Sequence, residues 1–405
     1  MIDVVQSIAA YNAGRDPERL QRKYAAMRRD PFTFLRGSCH LFYAQLPSAK
    51  TLSKAPPAWV CGDLHLENFG SYKGDNRLVY FDLNDFDEAA LAPCTWELLR
   101  LMTSVRVGAA SLQLKSAQAE ALCRHFLDAY TAALRNGKAR WIERDTAEGM
   151  VGDLLDGLRG RLRPALLDSR TERKGKHRIL RTDGRRALPA TRKQRDQVIA
   201  LIEQAAADQP NPRFYRVLDV ARRIAGTGSL GVDRYVILVE GKGSPDANYL
   251  LDLKQALPSS LAPQLKPTQP KWHSEAERVV TVQRRMQAVS PAFLKAVQMN
   301  GASYVLRGLQ PTEDRVALTD WNGKLERLER VLQTMGQLTA WAQLRSSGRQ
   351  GSANADELIA FGEKRRWPER LLNLANDSTQ QVRRDWKLFA KAYDKGAFAA
   401  QLAST

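Results

Sequence analysis

The sequence predicts an α+β fold, and three observations carry that expectation. Near both ends, apolar residues recur every three to four positions, the period of a half-buried helix. From Arg213 to about Val316 the texture changes to short alternating strands broken by Gly, Pro and Asp. A chain of 405 residues, 43% of them hydrophobic, is also long enough for two or three core-forming units.

The elements follow in order. Residues 16–46 read as helical, with Tyr24, Met27, Phe34, Phe42 and Leu46 as the apolar positions and an interruption near Pro31. Ala58-Trp59-Val60 reads as the end of a strand leading into the polar stretch "GDLHLENFG". A second strand around Leu78–Asp82 ends in an Asp-rich loop. Helices are expected from near Trp96, shortly after Pro93, and over Ser116–Arg135. Residues 170–195 are strongly basic, without a clean period, and read as an exposed, mobile connector or an anion-binding arm. "RYVILVE" (Arg234–Glu240) and "NYLLDLK" (Asn248–Lys254) flank a Gly/Pro/Asp turn, which is a hairpin signature. Ser274–Val289 reads as a helix, Ser303–Leu309 as a strand, and Leu325 onward as helical with a break at Pro368. The expected division is 1–210 and 321–405 as parts of one helical unit, with 211–320 as a β-rich unit between them.

Composition narrows the class. Four cysteines (Cys39, Cys61, Cys94, Cys123) show no CxxC pairing and no zinc-ligand spacing, as expected of thiols in a reducing compartment. No signal-like N-terminus and no apolar run near 20 residues is visible, so a cytoplasmic protein without a membrane span is expected. A net charge of +18 favours polyanionic partners. Nucleic acid is the less favoured of these, because the basic stretch lacks interleaved aromatics for base stacking.

Two groups of residues point to phosphate chemistry. Gly226, Gly228 and Gly231, with Ser229 among them, form G-x-G-x-x-G immediately before a strand, the placement of a kinase-type flap over nucleotide phosphates. An unliganded Gly-rich turn is the plain alternative. Lys254 ends the next strand, where its ammonium can meet those phosphates. The following helix offers Glu275, Glu277 and Gln283 as partners for the lysine, with Glu277 the first choice. Asp63 and Asn68 stand five apart in a post-strand loop. A carboxylate there can orient or deprotonate a hydroxyl, and an amide oxygen can help to hold Mg²⁺. Asp82, Asp85 and Asp87 supply further hard oxygen donors, and His65 organises the loop.

"GDLHLENFG" followed by "FDLNDFDEA" resembles the catalytic and metal loops of aminoglycoside phosphotransferases and related kinase-like enzymes. More closely, "MRRDPFTFLRG", "CGDLHLENFG", "TWELLRLMTS", "GTGSLGVDR", "LLDLKQA" and "ERVVTVQRRMQAVS" resemble the bacterial family called domain of unknown function 2252. The resemblance implies a protein-kinase-like two-lobed fold, ATP and Mg²⁺ as cofactors, Asp63 as catalytic base with His65 beside it, and Asn68 with Asp82 or Asp85 as metal ligands. Glu97 stands where such enzymes often carry a supporting Asp, Gln343 where a His is expected, and Arg345 matches. The catalytic loop precedes the glycine loop, the reverse of ordinary kinases, which implies a circular permutation. The expected activity is phosphotransfer from ATP to an unidentified hydroxyl acceptor, with the basic stretch 170–195 a hint of an anionic one. The alternatives are AMP transfer on the same fold, or a non-catalytic nucleotide- or nucleic-acid-binding protein.

Overall fold

The computed structural model describes residues 2–309 and 315–403, and its architecture is a mixed α+β one with several antiparallel sheets. The N-terminal helices are set by aspartate caps. Asp16 and Asp30 each accept a backbone N–H of the first turn and each precede a proline, giving helices Pro17–Arg29 and Pro31–Gly37. The expected interruption at Pro31 is thus a change of helix: Asp30 ends one and caps the next.

Six strands form the largest sheet, in the order Lys295–Met299, Ala302–Gly308, Tyr249–Gln255, Arg234–Val239, Val217–Arg223 and Ala187–Pro189. Every pairing in it is antiparallel. Alternation gives the sheet two faces. Tyr235, Ile237, Val239, Leu251 and Leu253 pack under helix Arg192–Ala206 through Val198, Leu201 and Ile202. Val236, Leu238 and Leu250 pack on the other face against Leu167 and Leu180.

The basic stretch 170–195 is therefore not a connector. Thr171–Lys174 pairs with His177–Leu180 as a hairpin, and Ala187–Pro189 adds the edge strand of the main sheet. One charge of this stretch is used internally: buried Arg178 is met by Asp168 and Asp246 and donates to the Pro245 carbonyl.

Most of the remaining chain shares one apolar core around helices Thr95–Gly108, Ser116–Asn136, Leu325–Arg345 and Trp367–Asp394. Gly336 lets two of these helices touch at the backbone, since a Cβ there would lie 2.3 Å from the Phe126 carbonyl oxygen. All four cysteines are buried and unpaired. Among the described residues, no helix is long and apolar enough to cross a membrane.

Candidate active site

Two small ladders explain the polar stretch after Val60. Pro57–Val60 pairs with Ala90–Pro93, and Phe69–Lys73 pairs with Val79–Leu83. Val60 faces Ala90 and Phe69 faces Leu83, so both arms of this long hairpin are interrupted at the same level. The two interruptions, residues 61–68 and 84–89, are the loops that carry Asp63 and Asp85. They are stitched side by side. The Asn68 carbonyl accepts from the Asn84 amide (3.0 Å), and the Asn68 side chain accepts from the Asp85 amide (2.8 Å) while donating to the Asp63 carbonyl (3.0 Å). Gly62 permits the contact: at φ +85° any Cβ would sit 2.2 Å from the Glu88 carbonyl oxygen.

Asp63, Asn68, Asp85, Asp87, Lys254 and residues 226–229 line one cleft. Among the described residues, Asp63 is held on one side only: Arg100 donates to its Oδ1 through both Nε (2.7 Å) and Nη2. Its Oδ2 faces the glycine loop, lying 3.9 Å from where a Cβ on Gly228 would be. Arg100 had no assigned role in the sequence reading, yet it lies one helical turn from Glu97, on the same face. That spacing was the available signal.

Lys254 bridges to the second loop. Its Nζ pairs with Asp87 and stands 3.9 Å from Asp85. Desolvation by the surrounding cleft walls pushes the Asp85 carboxyl up, but Lys254 and Arg307 outweigh it and hold Asp85 below the usual range. Burial and the neighbouring Asp85 charge push Asp87 the other way. The pair is arranged so that Asp85 is the more acidic member.

Several expected site residues lie elsewhere. Asp82 does not reach the cleft. It is buried, accepts from the amides of Leu83 (2.9 Å) and Ala288 (3.3 Å), and pairs with Arg345 (3.3 Å). Of the two aspartates left open as metal ligands, Asp85 lines the cleft and Asp82 does not. Glu277 is not the partner of Lys254. It accepts from the His273 amide (2.7 Å) within the cap of its own helix, because the inward face of that helix is one residue further on. There Arg278 donates to the carbonyls of Asp87 and Ala89. Gly231 is held against Arg15 rather than lining the cleft. His65 does line it; its Nδ1 accepts from the Glu67 amide (3.1 Å), and burial keeps the ring well below its usual pKa and so neutral.

Behind the loop, Glu97 Oε2 accepts from the Cys61 amide (2.9 Å) and Oε1 from Gln343 (2.7 Å), while Tyr130 donates to Gln343 (2.6 Å). Burial pushes Glu97 up to about 7. At the rim, Arg36 and Arg315 share Glu67.

As a metal site, the cleft offers the Asp85 and Asp87 carboxylates and the Asn68 amide oxygen. Among the described residues there is no cluster of three His, Cys, Asp or Glu side chains suited to a metal. Two carboxylates and an amide fit Mg²⁺, which binds through one or two carboxylates plus phosphates and water, and do not fit a dedicated zinc site.

No curated protein and no solved structure matches the chain. Residues 15–392 match the family described as "Uncharacterized protein conserved in bacteria (DUF2252)", and the chain belongs to that family.

Proposed function

We propose that the chain is an ATP- and Mg²⁺-dependent phosphotransferase acting on a hydroxyl acceptor, with a kinase-like two-lobed fold in circularly permuted order. One observation carries the reading: Asp63, Asn68, Asp85, Lys254 and the glycine loop, up to 191 residues apart in sequence, line the same cleft. The permuted order is supported by what lies beside strand Pro57–Val60. The segment after helix Leu325–Arg345 runs along it, with the Ala353 amide donating to the Pro57 carbonyl (2.7 Å) and the Trp59 indole to the Arg349 carbonyl (3.0 Å). In an unpermuted chain that helix would lead into the strand directly.

In this reading the Gly226–Gly231 loop covers the triphosphate and Lys254 offsets its charge. Asn68 and Asp85, with Asp87 beside them, would hold magnesium, which neutralises phosphate oxygens when bound. Asp63 orients the acceptor through Oδ2 and takes its proton as the acceptor oxygen bonds to the γ-phosphorus. The bond from that phosphorus to the β-phosphate bridging oxygen breaks, and ADP leaves. Arg100 keeps Oδ1 occupied, so only one edge of Asp63 faces the acceptor.

The test is a thermal-shift series with ATP, ADP, GTP and AMP, with and without Mg²⁺, on the unaltered chain and Lys254→Ala. A ligand that binds the folded state raises the midpoint by mass action. The expected result is a Mg²⁺-dependent rise with ATP that Lys254→Ala abolishes. Silence with every nucleotide would sink the proposal. Product mass then separates phosphoryl from adenylyl transfer.

A further inference from the structure

The glycine loop is held from outside the sheet that carries it. The backbone carbonyls of Gly228, Leu230, Gly231 and Val232 accept from residues of the N-terminal segment. Arg15 donates to the carbonyls of Gly228 (2.8 Å) and Leu230 (3.2 Å), and Lys23 Nζ donates to Gly228 (3.0 Å). The Asp16 amide donates to Gly231 (3.0 Å) and Arg19 to Val232 (3.0 Å). Gly231 has φ +87°, and a Cβ there would come within 2.8 Å of Arg15 Cβ, so the loop and the segment meet backbone to side chain.

Lys23 is the costly member of this set. It is wholly buried, its other hydrogen bond goes to Asn12 Oδ1 (2.8 Å), and no carboxylate pairs with it among the described residues. Burial, reinforced by Arg15, pulls its ammonium well below the usual pKa. Placing a lysine in such surroundings is unfavourable unless its bonds are worth more than solvation. Those bonds go to the glycine loop. The other side of the segment reaches across the cleft: Tyr11, whose ring lies under Arg15 and Lys23, donates to Glu88 in the second loop (3.2 Å).

A trans peptide directs its C=O and the next N–H to opposite sides. With the Gly228 carbonyl turned to Arg15 and Lys23, the Ser229 amide points away from them, and Ser229 is a cleft residue. We infer that Asn12–Lys23 is a positioning clamp for the glycine loop, with Arg15 and Lys23 fixing it by its carbonyls so that an amide is presented to the phosphates of a bound nucleotide. The inference rests on the phosphotransferase reading of the cleft. Lys23 lies behind the loop and is a positioning residue, while Arg15 holds the loop and also borders the cleft.

Hydrogen exchange and MgATP titration on the full chain test it, using Lys23→Met and Arg15→Ala. Exchange across residues 226–232 is expected to speed up about tenfold in each variant, as when a bond to a charged donor is lost. The exchange of helix Thr95–Gly108 should stay unchanged. KM for MgATP should rise about tenfold with kcat changed far less, a split that general loss of structure would not produce. Unchanged loop exchange overturns the clamp. A loosened loop with unchanged or tighter MgATP binding overturns its positioning role. Should Lys23→Met not fold, loop exchange in Arg15→Ala decides, because Arg15 itself borders the cleft and its KM alone does not separate the two roles. If the unaltered chain binds no MgATP, the phosphotransferase reading falls, and loop exchange still judges the clamp.

Discussion

Carboxylates within one short stretch of fold divide into two kinds. Asp82 and Glu97 are sealed in the core, with every carboxylate oxygen named above bonded to protein. Asp63 and Asp85 stand at the cleft, with side chains 20% and 52% exposed. The functional group is the same and the work differs. The buried pair fixes where the loops begin and end, Glu97 through the Cys61 amide and Asp82 through the Leu83 amide, while the exposed pair is what those loops present. A sealed carboxylate is a strut, and one with a bare edge is available for chemistry.

The sharpest way to break this division is to truncate one member of each kind. Asp85→Ala should lower Mg²⁺-dependent ATP turnover about a thousandfold, the scale of losing a metal ligand's share of transition-state stabilisation. Its melting temperature should barely move. Asp82→Ala should do the reverse. Two amides lose an acceptor and Arg345 loses its counter-charge, costing about 3 kcal/mol of stability by denaturant unfolding. Turnover per folded molecule should survive. If Asp82→Ala abolished turnover at full stability, the assignment of metal binding to Asp85 rather than Asp82 would be wrong.

Glu97 sharpens the comparison through pH. Its carboxyl ionises near 4.5 in the unfolded chain and near 7 when folded, so the folded state keeps a proton that the unfolded state has released. Stability from this group is full below about 4.5 and is lost as pH rises to about 7. The loss amounts to roughly 3 kcal/mol. Glu97→Gln should remove that slope from a urea-stability profile while Asp85→Ala keeps it. A slope that persists in Glu97→Gln would place the proton elsewhere.

The sequence made the strand-borne parts of the site legible. Asp63, Asn68 and Lys254 sit at strand ends, and the glycine loop joins two strands. Period-two alternation placed Tyr235, Ile237 and Val239 on one face and Val236 and Leu238 on the other, as found. What stayed hidden depends on long-range packing. Nothing local distinguishes an arginine in solvent from Arg178 between two aspartates, so the hairpin at 171–180 read as a connector. Nor does a motif announce that Arg15 and Lys23 will lie against a loop more than 200 residues away.

Helix Glu275–Met286, beside strands Lys295–Met299 and Ala302–Gly308, shows the smallest and most specific of these gaps. The sequence read a helix over Ser274–Val289 but could not fix its rotation, and one residue is a turn of about 100°. That rotation puts Arg278 inward on the Asp87 and Ala89 carbonyls and leaves Glu277 on the cap. Lys254 consequently takes its counter-charge from the Asp-rich loop instead of from a helix, so the lysine and the carboxylates proposed to hold metal are a single electrostatic unit. Glu277→Gln should therefore cost under about 1 kcal/mol, the worth of part of a cap. KM for MgATP should remain at the unaltered value in steady-state assays. A severalfold rise in KM without loss of stability would return Glu277 to the site and divide that unit between loop and helix.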